Sequence, residues 1–514
     1  MTLDPNTPVL IGVGQTVDHW DGSEAAAAPS PQSLMQRASE AALADTGVAE
    51  AVRAAIDVIA IVRHFADSAP GMVPEGTGGC DKPPLGLANR LGVSPARAIY
   101  SIVGGQTPQS LVNEFAAAIH SGEARCVLLS GSEAIAAAKT AARKGVALDW
   151  NESIDGTMED RGLGPMLLDR HELKNGVGAP ILTYPLFEHA VRARLGRSRA
   201  EHVAAMSRLW ASFSEVAAAN PYAQFPRAMS ADYLATPSDS NYPVADPYLK
   251  WHVAQDAVNQ GATVILTSVG QAEAMAVPRQ RWIFLHGSGE AMDKPVSLRP
   301  DLSRSRAIEV ALAGALASAG KSADAIAHYD IYSCFPVAVL LAAEALGVDE
   351  RTTPLTLTGG LPFSGGAGNN YSMHAIAAMA ETLRADPGSF GLVLANGGFL
   401  SKEAVGIYST AAPENWAPVD HAPMQAEIDA EAAPERLEED ATGTIESYTV
   451  GYAKGRPSRA VVIARSEKGR IVARPDESGK DDAIAALIDP ARDPIGRTVQ
   501  VTQSDGVNSF TVAP

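Results

Sequence analysis

The sequence predicts an α/β protein built as a duplicated core, with a polar insertion between its halves and a β-rich C-terminal domain. Three observations carry that reading. Short apolar runs ending in glycine alternate with stretches of helical period. The same order of elements occurs on both sides of residues 140–260, which lack it. Beyond Ser409 the chain changes to a series of short strand-like runs.

Pro8–Gly14 is an apolar run delivering into a glycine turn, and reads as a buried strand. Helical periodicity follows from Ser33 to about Thr46, then the strand run Val58–Val62. Ala98–Val103 is a strand that stops at Gly104-Gly105, with an amphipathic helix from about Thr107 to His120 behind it. Cys126–Gly131 again runs from strand into glycine. Strand–helix–strand units with short turns imply parallel pairing. The insertion is polar and Pro-rich, with His189–Ala219 amphipathic, and reads as a loop domain. The rhythm returns with strands at Gly261–Leu266 and Arg281–Leu285 and a helix at Ile308–Ala319. A strand at His328–Ile331, a helix at Pro336–Leu346, a glycine-rich loop and a helix at Tyr371–Arg384 follow. The half closes on Gly391–Ala395 and Gly397-Gly398.

Glu427–Asp440 holds seven acids against Arg436 alone, the composition of a solvated linker. After it come strand-like runs at Thr444–Val450, Arg459–Ala464 and Arg470–Ala473, a helix at Asp481–Ile488, and strands at Arg497–Val501 and Phe510–Val512. Three strands, a helix and two strands match an OB-like barrel. The divisions are 1–139 and 261–410 for the two halves, 140–260 for the loop domain, 411–442 for the linker and 443–514 for the OB-like domain.

Composition narrows the function. The chain of 514 residues is long enough for several domains, and its net charge of −18 disfavours general nucleic-acid binding. The basic run Lys454, Arg456, Arg459, Arg465, Lys468 and Arg470 reads as solvated strand positions or a domain contact, since interleaved aromatics are scarce. No run of eighteen uncharged apolar residues is present, so no membrane span is expected. The first residues have neither the basic region nor the apolar core of a signal peptide, and Cys80, Cys126 and Cys334 form no disulfide framework. A reducing cytoplasm is the expected setting.

Several segments resemble the thiolases over most of residues 1–410, and above all the sterol-carrier-protein type. They are Tyr184-Pro-Leu-Phe-Glu188, Glu201-His202, Ala219-Asn220-Pro221, Asn259-Gln-Gly-Ala262, Ser333-Cys334-Phe335 and the glycine-rich loop after Gly359-Gly360. The added C-terminal domain resembles the subgroup called thiolase-like protein type 1. The resemblance implies a duplicated thiolase fold, coenzyme A or an acyl-CoA as ligand, no tightly bound cofactor or metal, and a homodimer, with a monomer as the alternative.

Thiolase chemistry needs a cysteine thiolate at a helix N-terminus, a histidine and a second cysteine to move protons, and oxyanion holes. Carried over by spacing from Gly131-Ser132-Glu133, the nucleophile position falls on Gly105, which cannot hold an acyl group. The histidine of the glycine loop falls on Gly366, the second cysteine on Ala395-Asn396, and the histidine before Cys334 on Tyr332. What remains is an anion-binding helix start at Gly105 and Gln106, with Gly365, Gly366 and Asn396 as further binding positions. Tyr332, Cys334 and His374 are the candidates for chemistry, each with a packing role as the alternative. Asn369 and Asn370 read as helix caps.

The function expected is an acyl-CoA-binding, acetyl-CoA acetyltransferase-like protein of lipid metabolism without ordinary thiolysis, a pseudoenzyme with respect to thiolase chemistry. The alternatives are a retro-aldol lyase on acyl-CoA esters, with Tyr332 or Tyr371 as base, and a non-enzymatic CoA-ester carrier.

Overall fold

The structure is a computed structural model; it describes residues 3–68, 71, 74 and 76–512, so Met1 and Thr2 of the N-terminal segment lie outside it. The first half contains β1 (Pro8–Val17), α1 (Pro31–Asp45), α2 (Ala49–Ala55), β2 (Val58–Ile61), α3 (Pro83–Leu91), β3 (Arg97–Tyr100), α4 (Thr107–Ser121), β4 (Cys126–Ala134), α5 (Ile135–Lys144) and β5 (Glu159–Asp160). The loop domain carries α6 (Arg170–Lys174), α7 (Pro180–Arg194), α8 (Arg199–Ala219), α9 (Ala231–Ala235), β6 (Pro243–Ala245) and β7 (Tyr248–Leu249). The amphipathic stretch expected around His189–Ala219 is thus two helices. Ser198 breaks it by capping α8, its side chain accepting from the Glu201 amide.

The second half follows: β8 (Asn259–Ser268), α10 (Val269–Ala274), β9 (Phe284–Met292), α11 (Arg306–Ala319), β10 (His328–Ile331), α12 (Pro336–Leu346), α13 (Tyr371–Ala385), β11 (Phe390–Gly397) and β12 (Lys402–Ser409). The first sheet has the order β1-β8-β4-β2-β3-β5 and the second β10-β11-β12-β9. In the first, β8 runs antiparallel between β1 and β4, and β4 is parallel to β2. In the second, β12 runs antiparallel between β9 and β11, and β11 is parallel to β10. The four-strand motif is therefore the same in both halves, which establishes the duplication as a matter of topology.

The expectation of parallel pairing holds only in part. β8 and β12 each return the chain to fill the middle of a sheet, and a returning neighbour must run antiparallel.

Helices α4 and α13 pack on one another and on strands of both sheets, forming the central layer. On α4, Leu111, Val112, Phe115, Ala116 and Ile119 are buried at the helical spacing. Burying such a side chain contributes about 1.5–3 kcal/mol.

The acidic stretch is not an open linker. It contains α14 (Ala422–Asp429), and Arg306 ties down Glu427 and Glu431 while the Trp416 indole donates to Leu285 O at 2.9 Å. Pairing with a basic side chain of the core converts a solvated charge run into a docked one.

The C-terminal domain has β13 (Ala441–Ala453), β14 (Arg456–Arg465), β15 (Arg470–Pro475), α15 (Lys480–Ile488), β16 (Thr498–Ser504) and β17 (Val507–Val512). Its sheet order, β14-β15-β17-β16-β13, closes because β13 also pairs β14. The result is a five-stranded barrel with one parallel pair, β15–β17, and α15 after the third strand, as the OB-like reading requires. It is joined to the loop domain: β13 also pairs β6, the Ser447 hydroxyl donates to Leu186 O, and Arg192 forks onto Asp493 at 2.7 and 2.8 Å. Of its basic run, Arg465 and Arg470 share Glu446, Lys468 pairs Glu439, and Arg470 is itself buried.

Candidate functional site

Gly104-Gly105 turns the chain from β3 into α4, so Gly105 sits at the start of a central helix with both sheets around it. Its carbonyl accepts from the Ser372 hydroxyl at 2.8 Å, which fixes it to the first turn of α13. A side chain has no room here. A Cβ on Gly105 would stand 2.7 Å from Tyr332 Cζ, and closer still to the Tyr332 hydroxyl and the Asn396 carbonyl oxygen. The tyrosine that replaces one family histidine thus occupies the space of the missing cysteine side chain. This is the link between two of the substitutions that spacing alone identified.

Tyr332 is buried, meets Tyr371 edge-on at 5.3 Å between ring centres, and its hydroxyl makes no hydrogen bond to a described residue. Burial, then the charges of Cys334 and Glu403, hold its phenol well above the usual range, so it is a proton donor at neutral pH. The Tyr371 hydroxyl is engaged instead, at 2.5 Å from Thr358 Oγ1 and 3.3 Å from Asp330 Oδ1. Of the two tyrosines, Tyr332 alone abuts Gly105.

Cys334 Sγ lies 3.8 Å from Asn396 Nδ2, and burial pushes its thiol up to about 12, which leaves no thiolate to attack a thioester. Asn396 also donates to the Tyr184 hydroxyl at 3.2 Å, while its own Oδ1 is buried without a partner. His374 is directed to β1, where its Nδ1 meets Gln15 Oε1 at 2.9 Å, and burial lowers its pKa to about 4. It is a neutral, packed imidazole.

Gly366 donates its N–H to Gln255 O at 2.8 Å, and a Cβ there would press to 3.2 Å from the same oxygen. Gly365 has φ +118°, and a Cβ there would meet Gln260 Oε1 at 2.5 Å and Val258 Cγ1 at 2.8 Å. Gln106 is buried and folds across Gly104 and Gly397, where a Cβ on either glycine would collide with its side-chain oxygen. That oxygen has no partner.

The helix-capping reading of Asn369 and Asn370 is corrected. Asn369 Nδ2 donates to Arg63 O at 2.8 Å and Asn370 Nδ2 to Gly131 O at 2.7 Å, so both side chains tie α13 to the first half and neither caps it.

Two groups were not singled out from sequence. Glu403, at the start of β12, is buried with both carboxyl oxygens unpartnered, and burial, with Asp293 adding, holds its carboxyl well above the usual carboxylate range. Lys402 beside it donates to Val103 O at 3.2 Å. A charged pair opening an apolar strand, Lys402-Glu403-Ala-Val-Gly-Ile, was the available signal. The motif residues of the loop domain also meet. Glu188 accepts from Tyr248 Oη at 2.7 Å and the Val337 amide at 2.9 Å, and stands 2.6 Å from His202 Nε2. That network seats the loop domain on the N-terminus of α12. Among the described residues, no group of three or more His, Cys, Asp or Glu side chains is placed to hold a metal ion.

The family model described as "Thiolase-like protein type 1 additional C-terminal domain" matches residues 423–506. No curated protein matches the chain. The crystal structure of a monomeric SCP2-thiolase-like protein type 1 from Mycobacterium smegmatis is 36% identical, with a TM-score of 0.83, over 99% of this chain and 100% of that one. An Ltp2–ChsH2(DUF35) aldolase (16% identity, TM-score 0.57) and the dimeric peroxisomal thiolase of Saccharomyces cerevisiae (13%, 0.57) share the fold. Each match covers 79% of this chain and 98% of its own. With this identity maintained over nearly the whole of both chains, the protein belongs to the SCP2-thiolase-like proteins of type 1.

Proposed function

We propose that the protein binds a CoA thioester at the start of α4 and does not carry out thiolysis. The observation that supports this most is the filling of the Gly105 side-chain space by Tyr332 and the Asn396 carbonyl. Without a nucleophile, the helix start with the Gly105 and Gln106 amides can still hold a thioester carbonyl, as a site of partial positive charge. Purified protein should release no product from acetoacetyl-CoA and CoA above the buffer background, yet bind acetyl-CoA saturably by calorimetry. Turnover within a hundredfold of an ordinary thiolase would overturn the reading.

A second reading, retro-aldol cleavage of an acyl-CoA ester, is favoured by one feature: the unpartnered Tyr332 hydroxyl beside Gly105. Chromatography of 3-hydroxyacyl-CoA incubations separates the readings, since a carrier leaves the ester intact and a lyase yields a shorter acyl-CoA and a carbonyl fragment. We infer a role in lipid metabolism and a cytoplasmic setting; among the described residues no helix is long and apolar enough to cross a membrane. A monomer is the assembly we favour over a dimer. β5 covers the outer edge of β3, and Arg97–Glu159 at 3.0 Å with Arg161–Glu114 at 2.7 Å pins it there, so that edge is not free to pair with a second copy.

A further inference from the structure

A cavity of about 390 Å³ opens beside the start of α4, between β9, β12 and the first turn of α14. Ile102, Ala291 and Met292 give it apolar walls, and Gln106, Lys402 and Glu403 give it a polar end. Its size is that of a small-molecule site. The polar end is unusual in what it leaves unmade. Glu403 is 2% exposed with both carboxyl oxygens unpartnered, and Gln106 is 5% exposed with its side-chain oxygen unpartnered. Leaving a buried polar group without a hydrogen bond costs about 1–3 kcal/mol. Two such residues on one cavity are a cost that a ligand would recover.

The chemistry of the two groups narrows the ligand. Burial keeps the Glu403 carboxyl protonated, so it offers an O–H and an acceptor oxygen, whereas the Gln106 oxygen only accepts. A ketone or thioester carbonyl would leave Gln106 unmet. An ammonium group would share the cavity with the Lys402 cation. A hydroxyl donates to one group and accepts from the other.

We propose that this cavity is a binding site for an apolar alcohol, whose hydroxyl donates to the Gln106 side-chain oxygen and accepts from the Glu403 carboxylic acid while its hydrocarbon lies along Ile102, Ala291 and Met292. The site is independent of the thioester reading, because its probes contain no CoA.

The test is a titration of the full chain by ligand-observed NMR with 1-hexanol, 1-methoxypentane and hexylamine, followed by crystal soaks to locate the bound molecule. The ether has the alcohol's heavy-atom count but no donor. The alcohol should bind at least tenfold more tightly than the ether and the amine, and sit with its oxygen between Gln106 and Glu403. Glu403→Leu should erase that advantage. Equal affinity of alcohol and ether would mean that water satisfies the polar end, and the proposal would fall. It would fall equally if the amine bound best or the alcohol lay elsewhere. The wild-type comparison decides the matter even should the Leu variant not fold.

Discussion

Replacing Gly105 by alanine adds one methyl group at the most crowded point of the central layer. The added carbon would stand 2.7 Å from Tyr332 Cζ, well inside van der Waals contact, and nearer still to two oxygens. The Asn396 carbonyl cannot yield easily, because Asn396 is in β11 and paired to Glu403 of β12. Tyr332 would have to rotate away, but its ring is packed against Tyr371. Overpacking of this kind costs about 1–3 kcal/mol, and the rigid backbone partner puts Gly105→Ala at about 3. Tyr332→Ala opens a cavity in a packed core and should cost about 3 kcal/mol by itself. In the double variant the methyl group enters that space, so the two costs should not add. A coupling of at least about 1 kcal/mol is expected, within the range for residues in contact. Urea unfolding, followed by tryptophan fluorescence, measures all three. If Gly105→Ala is as stable as the parent, or the two changes are additive, Tyr332 does not fill the nucleophile's space and the reasoning fails.

Gly105→Cys should not restore thiolysis, because Gly366 supplies no imidazole and Ala395-Asn396 no thiol; measurable acetoacetyl-CoA thiolysis by that variant would contradict this. His374 and His252 are buried, each with its pKa lowered to about 4 from an ordinary 6.5. The unfolded chain therefore binds protons first as the pH falls, and stability should drop between pH 6.5 and 4, by up to about 3 kcal/mol for each histidine. His374→Gln should flatten the urea midpoint's dependence over that window, and an unchanged slope would show that His374 is not held neutral. Light scattering should return the mass of one chain, 53.5 kDa; twice that value would mean that β5 does not block the sheet edge. Limited proteolysis should spare residues 411–442, since α14 is docked through Arg306, and early cutting there would show the segment to be open.

Elements with one dominant local signal were legible from the sequence. His328–Ile331 and Pro336–Leu346 have the bounds expected of them, because glycine and proline punctuate them sharply. The strand β12 was not, because Lys402 and Glu403 give it a charged opening that reads as a turn. Strand direction was misjudged for β8 and β12, since periodicity says which face is buried and nothing about a strand's neighbours. At the site, spacing located Gly105 and Tyr332 separately. That they compete for one space is a fact of packing between α4 and the residue after β10, which no linear pattern holds. Glu403 shows the same limit: its unmet hydrogen bonds exist only once β12 is buried.

The most direct measurement is a crystal structure of the full chain with acetyl-CoA. The account predicts an intact thioester whose carbonyl oxygen lies within hydrogen-bond distance of the Gly105 or Gln106 amide, with Tyr332 in place beside it. An acyl group transferred to a side chain, or a thioester held away from the start of α4, would contradict it.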